Sequence, residues 1–199
     1  MQSSIITGMP IDSIHHPDIV HAAQSLLGCH IVRELHSGQL LRGRIVETEA
    51  YHETDPASHC HNGRRTPRNA TMFGPAGRAY IYFTYGMHYC LNVVTGSVEE
   101  GAAVLIRALE PLEGTESIRL HRKQTDITNL CSGPAKLTQA LRIDTSLNGH
   151  MLDQPPLQLQ RDDVLSAWSI VTTTRIGISK ATETPWRFYI KDNRFISRA

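Results

Sequence analysis

The sequence predicts an α+β fold, a single domain over residues 1–199 with a mainly antiparallel β-sheet flanked by helices. Three observations lead there. Strand-like and helical segments are mixed without a regular β-α-β repeat, which is the signature of parallel sheets. Several strand candidates are joined by short turns of the hairpin type. A chain of 199 residues with 40% apolar content suffices for one well-packed domain, or at most two small ones. No repeat, low-complexity tract or clear boundary divides it.

Residues 1–16 read as a lead segment, with neither the basic start nor the apolar stretch of a secretory signal. In "PDIVHAAQSLLG", Pro17 and Asp18 suit the first turn of a helix, Ile19, Ala22, Ala23, Leu26 and Leu27 give a helical stripe, and Gly28 stops it. "CHIVREL", the turn "HSGQ" and "LLRGRIVETEAY" then read as a β-hairpin. Residues 52–78 have loop composition and form too long a segment for a mere connector, and such loops are usually functional or disordered. "AYIYFTYGMHYCLN" reads as two strands about Gly86, followed by a strand in "GAAVLIRALEP". Helices are expected in "EGTESIRLHR" and in "GPAKLTQALRI", where Pro134 suits the first turn. After the Pro-rich link "DQPPL", strand-like pieces appear around "SIVTTTRIGI" and "RFYIKD".

Net charge is only +1, but its distribution is uneven. Between Pro56 and Val98 there is no Asp or Glu, while Arg64, Arg65, Arg68 and Arg78 supply fixed positive charge. Such a segment is either a solvated basic loop or a local anion-seeking face. Four of the six tyrosines (Tyr80, Tyr82, Tyr85 and Tyr89) adjoin it, which favours nucleic acid, because extruded bases stack on aromatic rings beside a basic track. No apolar run approaches the length of a membrane span, and Cys29, Cys60, Cys90 and Cys131 form no C-x-x-C pair. Reduced thiols in an intracellular protein are the expectation.

Alternation in "RIVETEAY" places Glu47, Glu49 and Tyr51 on one strand face. Two readings stay open there: a solvated strand face, or a carboxylate that activates water or stabilises a cationic transition state. His59, Cys60 and His61 lack the second half of a zinc site, so no metal is expected. The glycines match no phosphate-cradling fingerprint, and there is no nucleophile elbow; no cofactor is expected. In the tyrosine hairpin, parity sets Ile81 and Phe83 towards the core and Tyr80 and Tyr82 on the other side. Tyr80 and Tyr89 suit sheet packing, whereas Tyr85 at the turn has little to pack against. Asn92, inward among apolar residues, needs a hydrogen-bond partner, either a ligand or backbone. Arg107, interrupting an apolar strand, is expected to pair with Glu49 or Glu47.

Together, "RIVETEAY", "ASHCHNGRRTPRNATMF", "GRAYIYFTYGMHYCLNVV", "AAVLIRALEPLEG" and "LCSGPAKLTQAL" resemble the alkyladenine (3-methyladenine) DNA glycosylase family, in order, from about residue 17 to "RFYI". The resemblance implies an enzyme that flips alkylated or deaminated purines, such as 3-methyladenine and hypoxanthine, out of double-stranded DNA and hydrolyses the N-glycosidic bond. It implies that Glu49 activates the water, that Arg107 lies near it, and that Tyr51, His59 and Tyr82 enclose the base. It further implies that Asn92 disfavours a 2-amino purine, that Tyr85 wedges into the duplex, and that Arg64 and Arg68 approach the DNA backbone. No lysine occurs between residues 37 and 122, so the pocket segments offer no amine for a Schiff base, and a monofunctional, monomeric enzyme without a lyase step is expected. It would work with the DNA of a bacterial cytoplasm or of a nucleus, as a minimal catalytic domain without partner-binding tails. A non-catalytic nucleic-acid binder and a metal-dependent hydrolase built on His59 and His61 are the rival readings.

Overall fold

Eight strands form one antiparallel sheet in the computed structural model, which describes residues 12–84, 86–161 and 169–198. Helix α1 (Ile19–Ser25) opens at Asp18, whose carboxylate accepts the Val20 N–H at 2.9 Å, so Asp18 is the cap rather than part of the first turn. Gly28, with φ 86°, turns the chain into strand β1 (His30–Glu34), and the long strand β2 (Leu40–His52) returns beside it. Strands β3 (Ala79–Thr84), β4 (His88–Val94) and β5 (Ala102–Glu113) extend the sheet beyond β2. Helices α2 (Thr115–Arg122) and α3 (Pro134–Ala140) follow, then β6 (Leu157–Gln160), β7 (Ile170–Thr173) and β8 (Arg187–Ile190).

The strand order is β3-β4-β5-β2-β1-β6, with β8 between β2 and β7. Strand β2 changes neighbour along one edge: residues 40–44 pair with β1, and residues 47–49 pair with β8. Its other edge pairs with β5, and the register is irregular beside the site. Ile45 faces Leu109 and Glu47 faces Ala108, so Val46 is an extra residue on β2; Thr48 next faces Ile106, so Arg107 is an extra residue on β5. Bulges of this kind re-aim side chains beside active sites.

The main core lies between the sheet and the three helices, with Leu26, Ile31, Ile106, Leu109, Ile118 and Leu137 among its fully buried members. The segment between β2 and β3 contributes a smaller core, where Cys60, Met72 and Phe73 pack with Tyr80, Val94 and Ala103. Asn69 organises that segment, donating from Nδ2 to the carbonyls of His59 (2.8 Å) and Arg64 (2.9 Å).

Three expectations change. Parity sets Phe83 towards the core, but it is 47% exposed, because α3 covers β4 and β5 and leaves the outer end of β3 bare. Its ring pairs with Tyr89 at 5.3 Å between centroids. The region around "SIVTTTRIGI" is strand only over Ile170–Thr173; from Arg175 it leaves the sheet as a strap. Strand β6, not anticipated, pairs with β1 after the Pro-rich link. Tyr85 and residues 1–11 of the lead segment lie outside the described residues.

Candidate active site

Glu49 sits mid-way along β2, opposite Leu105 on β5 and Arg187 on β8, and is fully buried. The alternative of a solvated strand face is therefore excluded: β8 pairs along its edge, and the Ile176 amide, Tyr51 and Arg107 surround the carboxylate. Three donors hold the carboxylate. Its Oε1 accepts the Ile176 N–H at 2.8 Å and lies 3.2 Å from Arg107 Nη1, and its Oε2 accepts the Tyr51 hydroxyl at 2.9 Å. Burial first, then the Glu49 charge and hydrogen bond, push the Tyr51 phenol well above its ordinary range, which keeps it a donor.

Arg107 reaches both glutamates, with Nε 3.0 Å from Glu47 Oε1. Burial lowers its pKa, but the charges of Glu49 and Glu47 outweigh that and hold the guanidinium above its usual value. The expected pairing of this mid-strand arginine is present with both carboxylates. Its position in the bulge explains how an arginine fits an otherwise apolar strand.

In front of Glu49 lies a cavity of about 480 Å³, lined by Tyr51, His59, Tyr82, Asn92 and Arg107 among others. That size is within the roughly 300–1,000 Å³ of small-ligand sites. His59 and Tyr82 meet edge to face, 4.6 Å between centroids. Tyr80, fully buried, fixes the imidazole through its hydroxyl, 3.0 Å from His59 Nδ1. Burial, then the Arg68 charge, lower the His59 pKa, so the ring is neutral at neutral pH. Asn92 is 4% exposed and donates from Nδ2 to the Tyr80 carbonyl at 3.0 Å, which meets part of its hydrogen-bonding need with backbone while it still lines the cavity.

Arg68 and Arg64 are exposed on the segment between β2 and β3 and do not line the cavity. Arg68 packs over the outside of Tyr82, 5.1 Å from its ring centroid, and donates to the Phe83 carbonyl at 3.2 Å. Among the described residues, no three His, Cys, Asp or Glu side chains converge as a metal ligand set. The four cysteines are buried and none is in a disulfide among the described residues, and burial pushes the Cys131 thiol up to about 12. No helix among the described residues is long and apolar enough to cross a membrane.

The strap over residues 175–180 escaped sequence reasoning. It supplies the Ile176 amide to Glu49 from 127 positions away, and Ile176, Gly177, Ile178, Ser179 and Lys180 line the cavity. The Arg175 guanidinium, completely buried, anchors it through a two-pronged ion pair with Asp55 and through the Ala50 carbonyl at 3.0 Å. Gly177, at φ 77°, was the available signal that "TRIGI" could not continue as a strand. Lys180 also revises one expectation: the cavity does have an amine among its lining residues, brought by a distant segment.

A buried, thrice-held carboxylate beside an arginine, at the wall of an aromatic pocket, has the make-up of an enzyme site rather than a passive stacking surface. The comparisons with known proteins agree. The model of the methylpurine-DNA glycosylase family matches residues 13–194. A protein of Carboxydothermus hydrogenoformans named "Putative 3-methyladenine DNA glycosylase" is 52% identical over 182 residues, covering 91% of this chain and 94% of its own. Proteins of the same name from Francisella tularensis subsp. tularensis (50% over 191 residues, 94% and 98% covered) and Methanoculleus marisnigri (48% over 189 residues, 94% and 97% covered) are similar to it along nearly their whole length. The chain belongs to the methylpurine-DNA glycosylase family: it is a DNA-repair glycosylase.

Proposed function

We propose that the protein flips a damaged purine, alkylated or deaminated, from duplex DNA into the cavity and hydrolyses its N-glycosidic bond with a water activated by Glu49. The observation that carries this reading is the Glu49 carboxylate itself, fully buried yet lining an open, aromatic-walled cavity. A carboxylate offers about four lone-pair positions; hydrogen bonds from Ile176 and Tyr51 take two, and Arg107 Nη1 lies 3.2 Å from Oε1 as an ion pair. The acceptor capacity left over is suited to a water aimed at C1′ of the flipped nucleotide. The same charge stabilises the cationic sugar as the base departs.

Extrusion costs a few kcal/mol in unpairing and unstacking, least at a damaged pair. Stacking on Tyr51 and Tyr82 returns about 1–3 kcal/mol per stacked base. Tyr85, between β3 and β4 in the sequence, is assigned to the gap left in the duplex. Arg64 and Arg68 are assigned to the DNA backbone. Asn92, held by the Tyr80 carbonyl, is assigned to turn away purines with a 2-amino group. A purine already carrying positive charge leaves readily, whereas a neutral one such as hypoxanthine needs protonation first. The neutral His59 ring is a hydrogen-bonding wall for the base. The protein acts as a monomer on double-stranded DNA.

An excision panel of alkylated, deaminated and etheno purines in duplex DNA, run on the wild type and Glu49→Gln, tests the reading. Excision by Glu49→Gln should fall by about 10²–10⁴-fold, the usual share of general-base catalysis, with duplex binding kept. Excision at wild-type rates would return the site to a non-catalytic nucleic-acid binder.

A further inference from the structure

Glu47 is as deeply buried as Glu49, yet it does not line the cavity. Its carboxylate gathers groups from three separate parts of the chain. Oε1 accepts from Arg107 Nε at 3.0 Å, Arg187 Nε at 2.7 Å and the Ser197 hydroxyl at 2.8 Å, and Oε2 accepts the Ser197 N–H at 2.6 Å. Ser197 lies 150 positions away, in the C-terminal segment, and that segment is pinned into the main core by Phe195. The Ser197 hydroxyl also accepts from Arg107 Nη2 at 3.3 Å, and Arg187 donates to the Arg198 carbonyl.

Arg107 is thus held on two of its three nitrogens from behind, and the third, Nη1, faces Glu49. A guanidinium is a rigid planar fork, so fixing Nε and Nη2 fixes the direction of Nη1. Arg107 needs such support because it occupies a bulge, with no cross-strand partner to set its orientation. We propose that Glu47 and Ser197 are positioning residues, a clasp by which the C-terminal segment aims Arg107 at Glu49 and the reacting water. The inference rests on the catalytic role proposed for Glu49. Neither clasp residue touches the base; both act through the arginine.

The test uses the full chain and a duplex containing 3-methyladenine, a cationic base without a 2-amino group that needs no protonation to leave. Single-turnover excision, duplex affinity and thermal stability are measured for Ser197→Ala, Ser197→Thr and Glu47→Gln, and for Ser197→Ala within Arg107→Lys. Ser197→Ala should excise roughly 3- to 10-fold more slowly at unchanged duplex affinity, the scale of one lost orienting hydrogen bond. Ser197→Thr, which keeps the hydroxyl, should restore the rate. In Arg107→Lys, which cannot bridge Glu47, Ser197 and Glu49 together, Ser197→Ala should have no further effect. Glu47→Gln should lose on the order of 10²-fold. If it fails to fold, the Ser197 series decides alone. A wild-type rate in Ser197→Ala, or the same fractional loss in Arg107→Lys, overturns the clasp. Glu49→Gln is run alongside: full activity there sinks the catalytic reading itself, whereas an inactive Glu49→Gln with an indifferent Ser197→Ala sinks only the clasp.

Discussion

Replacing Asp55 by Asn tests the strap most directly. Asp55 and Arg175 are 3% and 6% exposed, and the guanidinium engages both carboxylate oxygens. Burial lowers the Arg175 pKa, but the hydrogen bond and charge of Asp55, with smaller help from Tyr51 and Glu49, outweigh it. Asparagine keeps the shape but removes the charge and turns an NH₂ towards the cation. Removing one partner of a buried pair costs about 3–5 kcal/mol, because the other charge stays buried and uncompensated. At about 2–4 °C per kcal/mol for a chain of this size, the melting temperature should fall by roughly 6–20 °C. Excision should fall as well, since the residue after Arg175 supplies the amide that holds Glu49. The measurements are calorimetric melting and single-turnover excision, with Asp55→Leu combined with Arg175→Met as the companion variant. An apolar pair of similar volume should recover most of the stability. Excision should stay reduced, because the guanidinium bond to the Ala50 carbonyl is gone. A fall in melting temperature below about 2 °C in Asp55→Asn, with normal excision, would refute the anchoring role.

Other outcomes follow from the same geometry. Gly101→Ala should destabilise by about 1–3 kcal/mol, because its Cβ would stand 2.8 Å from Cys60 Sγ and 3.0 Å from Phe73 Cε1; an unchanged denaturant midpoint would show that the smaller core yields freely. His59 has a depressed pKa when folded, so the unfolded chain takes up that proton first, and the contribution of His59 is present above about pH 6.5 and lost as pH falls below it. Melting temperatures measured down to pH 5 should therefore fall less steeply in His59→Gln than in the wild type, and parallel curves would contradict the assignment. Although Lys180 lines the cavity, excision in the presence of borohydride should leave no protein–DNA adduct; a trapped adduct that disappears in Lys180→Ala would establish a lyase step.

What the sequence disclosed about the site is what lies close along the chain. Alternation in "RIVETEAY" put Glu49 and Tyr51 on one face, and they are hydrogen-bonded there. The polar interruption of an apolar strand marked Arg107 as a paired residue. Parity failed where tertiary cover decides exposure. Phe83 has the alternation of a core residue but lies past the helix that would bury it. The two glutamates read as candidates for solvent, because what buries them is distant in sequence: Ile176 bonds Glu49, and Arg187 and Ser197 bond Glu47. Contacts made across 120 positions, as between Asp55 and Arg175, or 150, as between Glu47 and Ser197, leave no periodic trace in either partner's neighbourhood. "TRIGI" carries β-branched residues and so mimics a strand, although its job is to leave the sheet.

The two extra residues, Val46 on β2 and Arg107 on β5, cancel one another's offset, so the pairing on either side of them is flush. The same offset therefore holds for residues 43–45 and 48–52 of β2, and the next irregularity comes only at Arg42/Gly43, where Leu112 is extra on β5. The shared offset also ties the lengths of the two strands together. Loss of Val46 alone would slide the distal half of β2 by one residue and send Glu49 and Tyr51 to the opposite face. Loss of both residues would close the sheet neatly and delete the arginine. Between Gly43 and His52 a residue gained or lost on one strand therefore calls for its counterpart on the other if Glu49 is to keep its face.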